Sequence, residues 1–446
     1  MSTTVAPREM KDPEGAAPLR TESRSVTLPP GAPATERVGI ATLLTVLAGT
    51  FMSTLDMFIV NVAVPSIQSE LHASTSAIQW IVAGYSLAIG ILVVVCGRLG
   101  DRFGARRIYG VGLAAFAVMS AACGFAPTAE VLVLARIGQG AAAALMAPQA
   151  LAIIRTVFTG KALLRGFTAY GLIMGLAAVF GQIIGGALIS FDVFGLGWRS
   201  CFLINVPVGV LALLALTSMV PGTPGRRAPR GAAVINLSIL RRPRFVLAVL
   251  GQATFGAGLT GFFFVFALYA QTTLRLGPVE SGVLFSAIGI GYIVTSSVAG
   301  RVQQRLGRRT AIVGAVGVVV GLAGLLAAVV AVHPAAGSWW GPLVLVPGLS
   351  ITGAGMGLVI SPLAALAMGS ARADEAGTAS GMVSTIMQLA GAGGVGLVGG
   401  VFAMATTLTS GQTPFVAGLL ALIALNAATA VLVRVATRSR WDGVAR

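Results

Sequence analysis

Twelve separate stretches of this chain stay apolar for long enough to cross a hydrocarbon core about 30 Å thick, a distance that takes roughly 20 residues of helix. They fall near residues 38–65, 76–98, 106–126, 129–154, 163–190, 199–220, 244–271, 279–300, 310–333, 341–369, 376–406 and 414–436. No soluble domain has an interior that could hold twelve such segments. Only 10% of the residues are charged, against roughly 25% in soluble domains. A segment in hydrocarbon must satisfy its backbone polar groups internally, and the helix does so. The expected fold class is therefore an all-α membrane protein. The 59 glycines fit it, because small residues let membrane helices approach closely.

The formal net charge of +16 would suggest nucleic acid in a soluble chain, but here the location of the charges decides. Arg98, Arg102, Arg106 and Arg107 follow the second run, Arg155, Lys161 and Arg165 the fourth. Arg226, Arg227, Arg230, Arg241, Arg242 and Arg244 follow the sixth, and Arg301, Arg305, Arg308 and Arg309 the eighth. The alternate loops hold only Arg199 and Arg275 near their ends. The positive-inside rule then places both termini and the central linker in the cytoplasm. No nucleic-acid partner is expected. Residues 1–37 are rich in Pro, Ser, Thr and charge, and are expected to form a disordered cytoplasmic tail; 437–446 are expected to form a cytoplasmic tail at the other end. No cleavable signal peptide is expected, since the first apolar run is too long for one. Trp339 and Trp340 read as interfacial anchors, and Glu375 as a helix cap.

Segment 221–243 combines Pro221, Gly222, Pro224, Gly225 and Pro229 with five arginines, and divides the chain into six-helix sets over 38–220 and 244–436. The stretch Gly97-Arg-Leu-Gly-Asp-Arg-Phe-Gly-Ala-Arg-Arg107 recurs as Gly300-Arg-Val-Gln-Gln-Arg-Leu-Gly-Arg-Arg309, each between the second and third runs of its half. Such a duplication is the pattern of transporters that hold their substrate near the bilayer midplane between repeats.

Of the fourteen carboxylates, Asp56 is the only one well inside an apolar run, where a charge costs at least about 2.5–3.5 kcal/mol. Thr45, Gly49, Ser53 and Asp56 lie broadly on one helix face. Arg136, the one basic residue deep in a run, is the expected counter-charge, with Gln139 and Gly140 on its face. Two readings stand: a structural ion pair that fixes packing, or a proton-coupling pair whose proton affinity switches when a conformational change moves the two apart. Asp56→Asn separates them.

The motifs resemble those of the major facilitator superfamily, and within it the drug:proton antiporter branch usually described with fourteen helices. Gly97 to Arg107 is similar to motif A, Arg136-Ile-Gly-Gln139-Gly140 to motif B, and Gly171 to Gly186 to motif C. Leu55 to Pro65 and Trp198 to Gly209 are similar to signatures of the fourteen-helix branch. The resemblance covers almost everything after residue 37. It departs in two ways: only a short linker separates the sixth and seventh runs, so twelve spans are expected, and Gln182 stands where motif C carries Pro.

The resemblance implies two pseudo-symmetric six-helix bundles and alternating access. It also implies a latch between the halves at Gly97, Asp101, Arg102, Gly104 and Arg106. The second repeat keeps the turn but has Gln304 in place of the acid. For the substrate site the candidates are Asn61, Tyr85, Gln139, Gln182, Ser384 and Gln388, with Gln252, Phe255, Phe262 and Phe266 on a helically spaced stripe that also includes Leu259 and Tyr269. Packing is the competing reading for that stripe. The expected activity is proton-driven efflux of small lipophilic compounds, such as antibiotics, from a monomer in the bacterial inner membrane. Uptake, or export of one dedicated metabolite, is the alternative. An enzyme is not expected: His72 and His333 are the only histidines, and Cys96, Cys123 and Cys201 have no metal-like spacing, so no cofactor or metal is assigned.

Overall fold

In the computed structural model the protein is described over residues 32–222, 237–307, 309–332, 341–370, 376–409 and 411–437. The expectations for most of the two tails, for Arg226, Arg227, Arg230 and Arg308, and for His333, Trp339, Trp340 and Glu375 lie outside the described residues.

Thirteen α-helices are described: α1 (Ala32–Glu70), α2 (Thr75–Phe103), α3 (Ala105–Gly124), α4 (Ala129–Val157), α5 (Gly160–Ser190), α6 (Ser200–Leu203), α7 (Asn205–Met219), α8 (Pro243–Leu268), α9 (Pro278–Leu306), α10 (Arg309–Val332), α11 (Val346–Met368), α12 (Ala376–Leu408) and α13 (Thr413–Ala436). The short α6 and α7 run on into one span, Gly197–Met219, which makes twelve helical spans long and apolar enough to cross a bilayer among the described residues. α1 begins at Ala32, inside the expected tail.

Local chemistry sets the ends. Ser74 caps α2 by accepting from the Ala77 N–H, and Thr128 caps α4 by accepting from Val131. Pro278 opens α9, with the Glu280 carboxylate accepting from the Gly277 N–H at 2.8 Å. Gly104 ends α2 at φ +93° and Gly307 ends α9 at φ +54°, so in both halves the duplicated motif breaks its helix at a glycine of positive φ.

Within the first half α1 packs on α5 and α7, and α4 on α2 and α3; within the second, α8 packs on α12 and α13, and α11 on α9 and α10. Two seams join the halves, α5 against α9 and α2 against α12. The first seam is backbone on backbone. A Cβ on Gly186 would lie 2.4 Å from the Pro278 carbonyl oxygen, and one on Gly282 would lie 2.5 Å from that of Gln182. Large apolar side chains such as Leu134, Leu211 and Val118 stay exposed on the outside of the bundle. That is the surface a lipid-embedded protein presents, where water would have disfavoured it.

Candidate functional site

Asp56 lies at the centre of a fully buried polar knot. Its Oδ2 pairs with Nη1 of Arg136, and its Oδ1 accepts from Nε2 of Gln139 at 2.8 Å and from Nδ2 of Asn205 at 2.7 Å. Gln139 is itself held: its Oε1 accepts from Arg136 at 2.6 Å, and its Nε2 also lies 2.7 Å from the Ser120 hydroxyl. Arg136 Nε donates to the Ile81 carbonyl at 3.0 Å, and its guanidinium lies 4.3 Å from the centre of the Tyr85 ring and 5.7 Å from that of Phe202. A buried charge is tolerated only when paired and hydrogen-bonded. This carboxylate accepts from three side chains carried by α4 and α7. The expected Asp56–Arg136 pair is present, and Gln139 belongs to it.

Between the halves lies a cavity of about 410 Å³, within the usual range for small-molecule sites. Its wall is mostly apolar and includes Met57, Met146, Met174, Met356 and Met387, with polar atoms from Thr50, Ser53, Thr54, Tyr85, Tyr170, Tyr292, Ser384 and Gln388. Among the described residues, no charged side chain lines it. Methionine is unbranched and polarisable, so such a wall can fit itself to differently shaped apolar ligands.

Tyr85 connects the two places. One surface of it lines the cavity while its ring face covers Arg136, and its hydroxyl donates to the Ser53 carbonyl at 2.8 Å, one turn before Asp56. Asp56 and Arg136 themselves do not reach the wall.

An aromatic cluster adjoins the cavity near the end of α8 and the starts of α9 and α13. Phe58 of α1 meets Phe263 of α8 edge-on at 5.0 Å, and Phe263 stacks on Phe285 at 5.5 Å. Phe266, Phe262, Phe415 and Tyr269 continue the cluster into the second half. Gln271 adds a hydrogen bond across the halves, from Nε2 to the Val62 carbonyl at 3.0 Å.

Of the expected substrate residues, Tyr85, Ser384 and Gln388 are in the wall. Phe262 and Phe266 are in the aromatic cluster, Phe255 is buried in the hydrophobic core, and Gln252 is buried against Met387. Asn61 and Gln182 both donate to the Phe58 carbonyl, at 3.1 and 2.9 Å, away from the wall. Leu259 is the one member of the stripe on α8 that lines the cavity among the described residues; the others meet packing partners, and Phe263, outside the stripe, lines the cavity as well.

In the expected latch, Gly104 makes the turn, Gly97 is half-buried, and Asp101 and Arg102 are exposed. Arg106 reaches the end of α7, donating to the Thr217 carbonyl at 2.6 Å. Two groups not anticipated as site residues stand out. Asn205 is one. The other is Glu70, which accepts from the Trp198 indole at 2.7 Å and pairs with Arg199, tying the outer end of α1 to the start of the sixth span. Asn205 could have been found as the one amide in an otherwise apolar sixth run.

The profile of the Major Facilitator Superfamily matches residues 46–395. The chain is 32% identical over 422 residues to the probable actinorhodin transporter of Streptomyces coelicolor, covering 81% of this chain and 72% of that protein. It is 33% identical over 427 residues to the puromycin resistance protein of Streptomyces alboniger, covering 82% of each. Against the multidrug resistance protein Stp of Mycobacterium tuberculosis it is 27% identical over 422 residues, covering 82% of this chain and 76% of that one. Among solved structures, a bacterial homologue of the human lysosomal transporter Spinster, inward-facing and unoccupied, superposes with a TM-score of 0.68 at 17% identity, covering 91% of this chain and 96% of that one. The nucleoside transporter NupG superposes with a TM-score of 0.69 at 14% identity, covering 91% and 100%. At such identities the likeness is one of fold.

Proposed function

Because the chain belongs to the Major Facilitator Superfamily, we propose that it exports small lipophilic compounds of the antibiotic class from a bacterial cell in exchange for protons. The observation that carries this reading is the Asp56–Arg136–Gln139–Asn205 knot packed directly behind Tyr85 of an uncharged, methionine-rich wall. The wall suits weakly polar substrates. The relatives named for actinorhodin, puromycin and multidrug resistance agree with that substrate class.

Asp56 is the proton carrier. Protonation of its carboxyl weakens the pair with Arg136 and releases Gln139 and Asn205 to other partners, so the packing of α1 against α4 and α7 changes. Tyr85, bound to the α1 backbone and lying over Arg136, passes that change to the cavity. Substrate and proton thus occupy adjacent places separated by one ring. With the basic loops and both termini in the cytoplasm, the aromatic end of the cavity faces outward, and substrate loads from the cytoplasmic side. One proton moving down 100 mV supplies about 2.3 kcal/mol, enough to hold a gradient of roughly fifty-fold. The exposed motif around Asp101 and Arg102 acts as the latch between halves on the cytoplasmic face, and the transporter works as a monomer.

The test is efflux of a panel of lipophilic dyes and antibiotics from cells expressing the protein, with and without a protonophore, beside Asp56→Asn. Protonophore-sensitive export lost in the mutant supports the reading. Export by Asp56→Asn against a gradient removes Asp56 from the coupling role, and absence of any export with protein present in the membrane favours uptake or a single dedicated substrate.

A further inference from the structure

We propose that Gln252 is a concealed hydrogen-bonding group of the cavity, reached when the Met387 side chain swings aside, and that it selects planar aromatic compounds bearing an amino or hydroxyl donor. This rests on the reading of the cavity as the substrate site and adds a chemical preference to it.

Gln252, on α8, is 2% exposed. Its Nε2 lies 2.9 Å from Sδ of Met387, and its Oε1 has no hydrogen-bond partner. A thioether sulfur is a weak acceptor, so neither end of this buried amide is well paired. Exchanging the amide oxygen and nitrogen does not help: one end would still meet sulfur and the other nothing. A buried amide left this way is destabilising, and an apolar side chain of similar size would avoid the cost. The sequence keeps a glutamine there nonetheless.

Among the described residues, the one side chain that Gln252 is bonded to is also part of the cavity wall. Met387 is unbranched with several rotatable bonds, the kind of side chain that changes rotamer at small cost. Its backbone stays fixed, because α12 is seated on α8 through Gly256, where a Cβ would lie 3.0 Å from the Met387 carbonyl oxygen. Rotation of that one side chain would therefore uncover the Gln252 amide, whose Oε1 is an unsatisfied acceptor, without moving a helix. The wall supplies the rest of the recognition: the rings of Phe263, Phe285 and Tyr292 line it and can pack against a ring of the ligand. A ligand N–H or O–H reaching Oε1 would satisfy an atom that has no other partner.

The probes are proflavine, whose two exocyclic amines carry N–H donors, and acridine orange, the same cationic ring with those amines methylated. Binding of each to the purified full-length protein in detergent is read by fluorescence polarisation. The wild type is expected to prefer proflavine by about tenfold, the ratio that one buried hydrogen bond gives, and Gln252→Leu to bring the ratio close to unity. Gln252→Met keeps the side-chain length and serves if Gln252→Leu does not fold. Retention of the full preference in these variants overturns the subsite alone. Failure of the wild type to bind either dye overturns the reading of the cavity as a site for such compounds, and the subsite with it.

Discussion

Asp56 shows how one buried charge recruits its surroundings. Both of its oxygens accept from donors of fixed geometry, and the three donors are not equivalent: Arg136 supplies charge, while Gln139 and Asn205 supply orientation. A hydrogen bond to a charged group is worth about 1.5–3 kcal/mol. Asn205→Ala should therefore slow protonophore-sensitive export by about tenfold to a hundredfold, with protein levels near normal, measured as initial rates in everted vesicles. Arg136→Lys should be as damaging, because a lysine cannot reach Asp56, Gln139 and the Ile81 carbonyl together. Glu70→Gln is the contrast. The Glu70 side chain is 50% exposed, so its ion pair with Arg199 contributes under about 1 kcal/mol, and the unfolding midpoint should barely move. The Asp56–Arg136 pair was legible in the sequence, since two lone charges inside apolar runs have few ways to be paired other than with each other. Asn205 was harder to see, because an amide in an apolar run has many possible partners and its neighbours in space come from distant helices.

The elements show where periodicity stops being informative. The spacing of Phe255, Phe262 and Phe266 on α8 correctly puts them on one side of a helix, but a period says nothing of what that side faces, and here it faces the packed hydrophobic core. Phe263, one position on from Phe262, is the residue that meets the first half. An edge-to-face ring pair is worth about 0.5–1.5 kcal/mol beyond its buried area, so Phe58→Ala should shift the balance toward an open outer side by about twofold to tenfold. Spin labels at the outer ends of α1 and α8 would show this as a larger long-distance population. Gly186→Ala should act in the same direction by steric means, since its added methyl group meets the Pro278 carbonyl oxygen and no flexible side chain can give way. A label pair across α5 and α9 that keeps its wild-type distance would count against that seam as the closing surface.

At the scale of the whole molecule, the twelve spans and the two halves were legible because hydrocarbon leaves a chain so few options: long apolar helices, basic loops on one side, a duplicated motif. The location of the cavity was implied by the duplication, but its wall was not, since it is made of single residues from helices far apart in sequence. The polar knot adds a further consequence. Every side chain in it comes from the first half, from α1, α3, α4 and α7, and the ring that covers Arg136 comes from α2. The second half contributes aromatic rings, methionines and the Gln252 amide, but, among the described residues, no part of that knot. On the proposed reading the coupling knot therefore lies wholly in one half, whereas both halves line the cavity, and the two are joined by a short linker and two seams. Such a layout lets a lineage acquire a new cargo by exchanging or diversifying one half while inheriting the engine intact, and chimaeras that graft the second half of a relative onto this first half should keep their driving ion and change what they move.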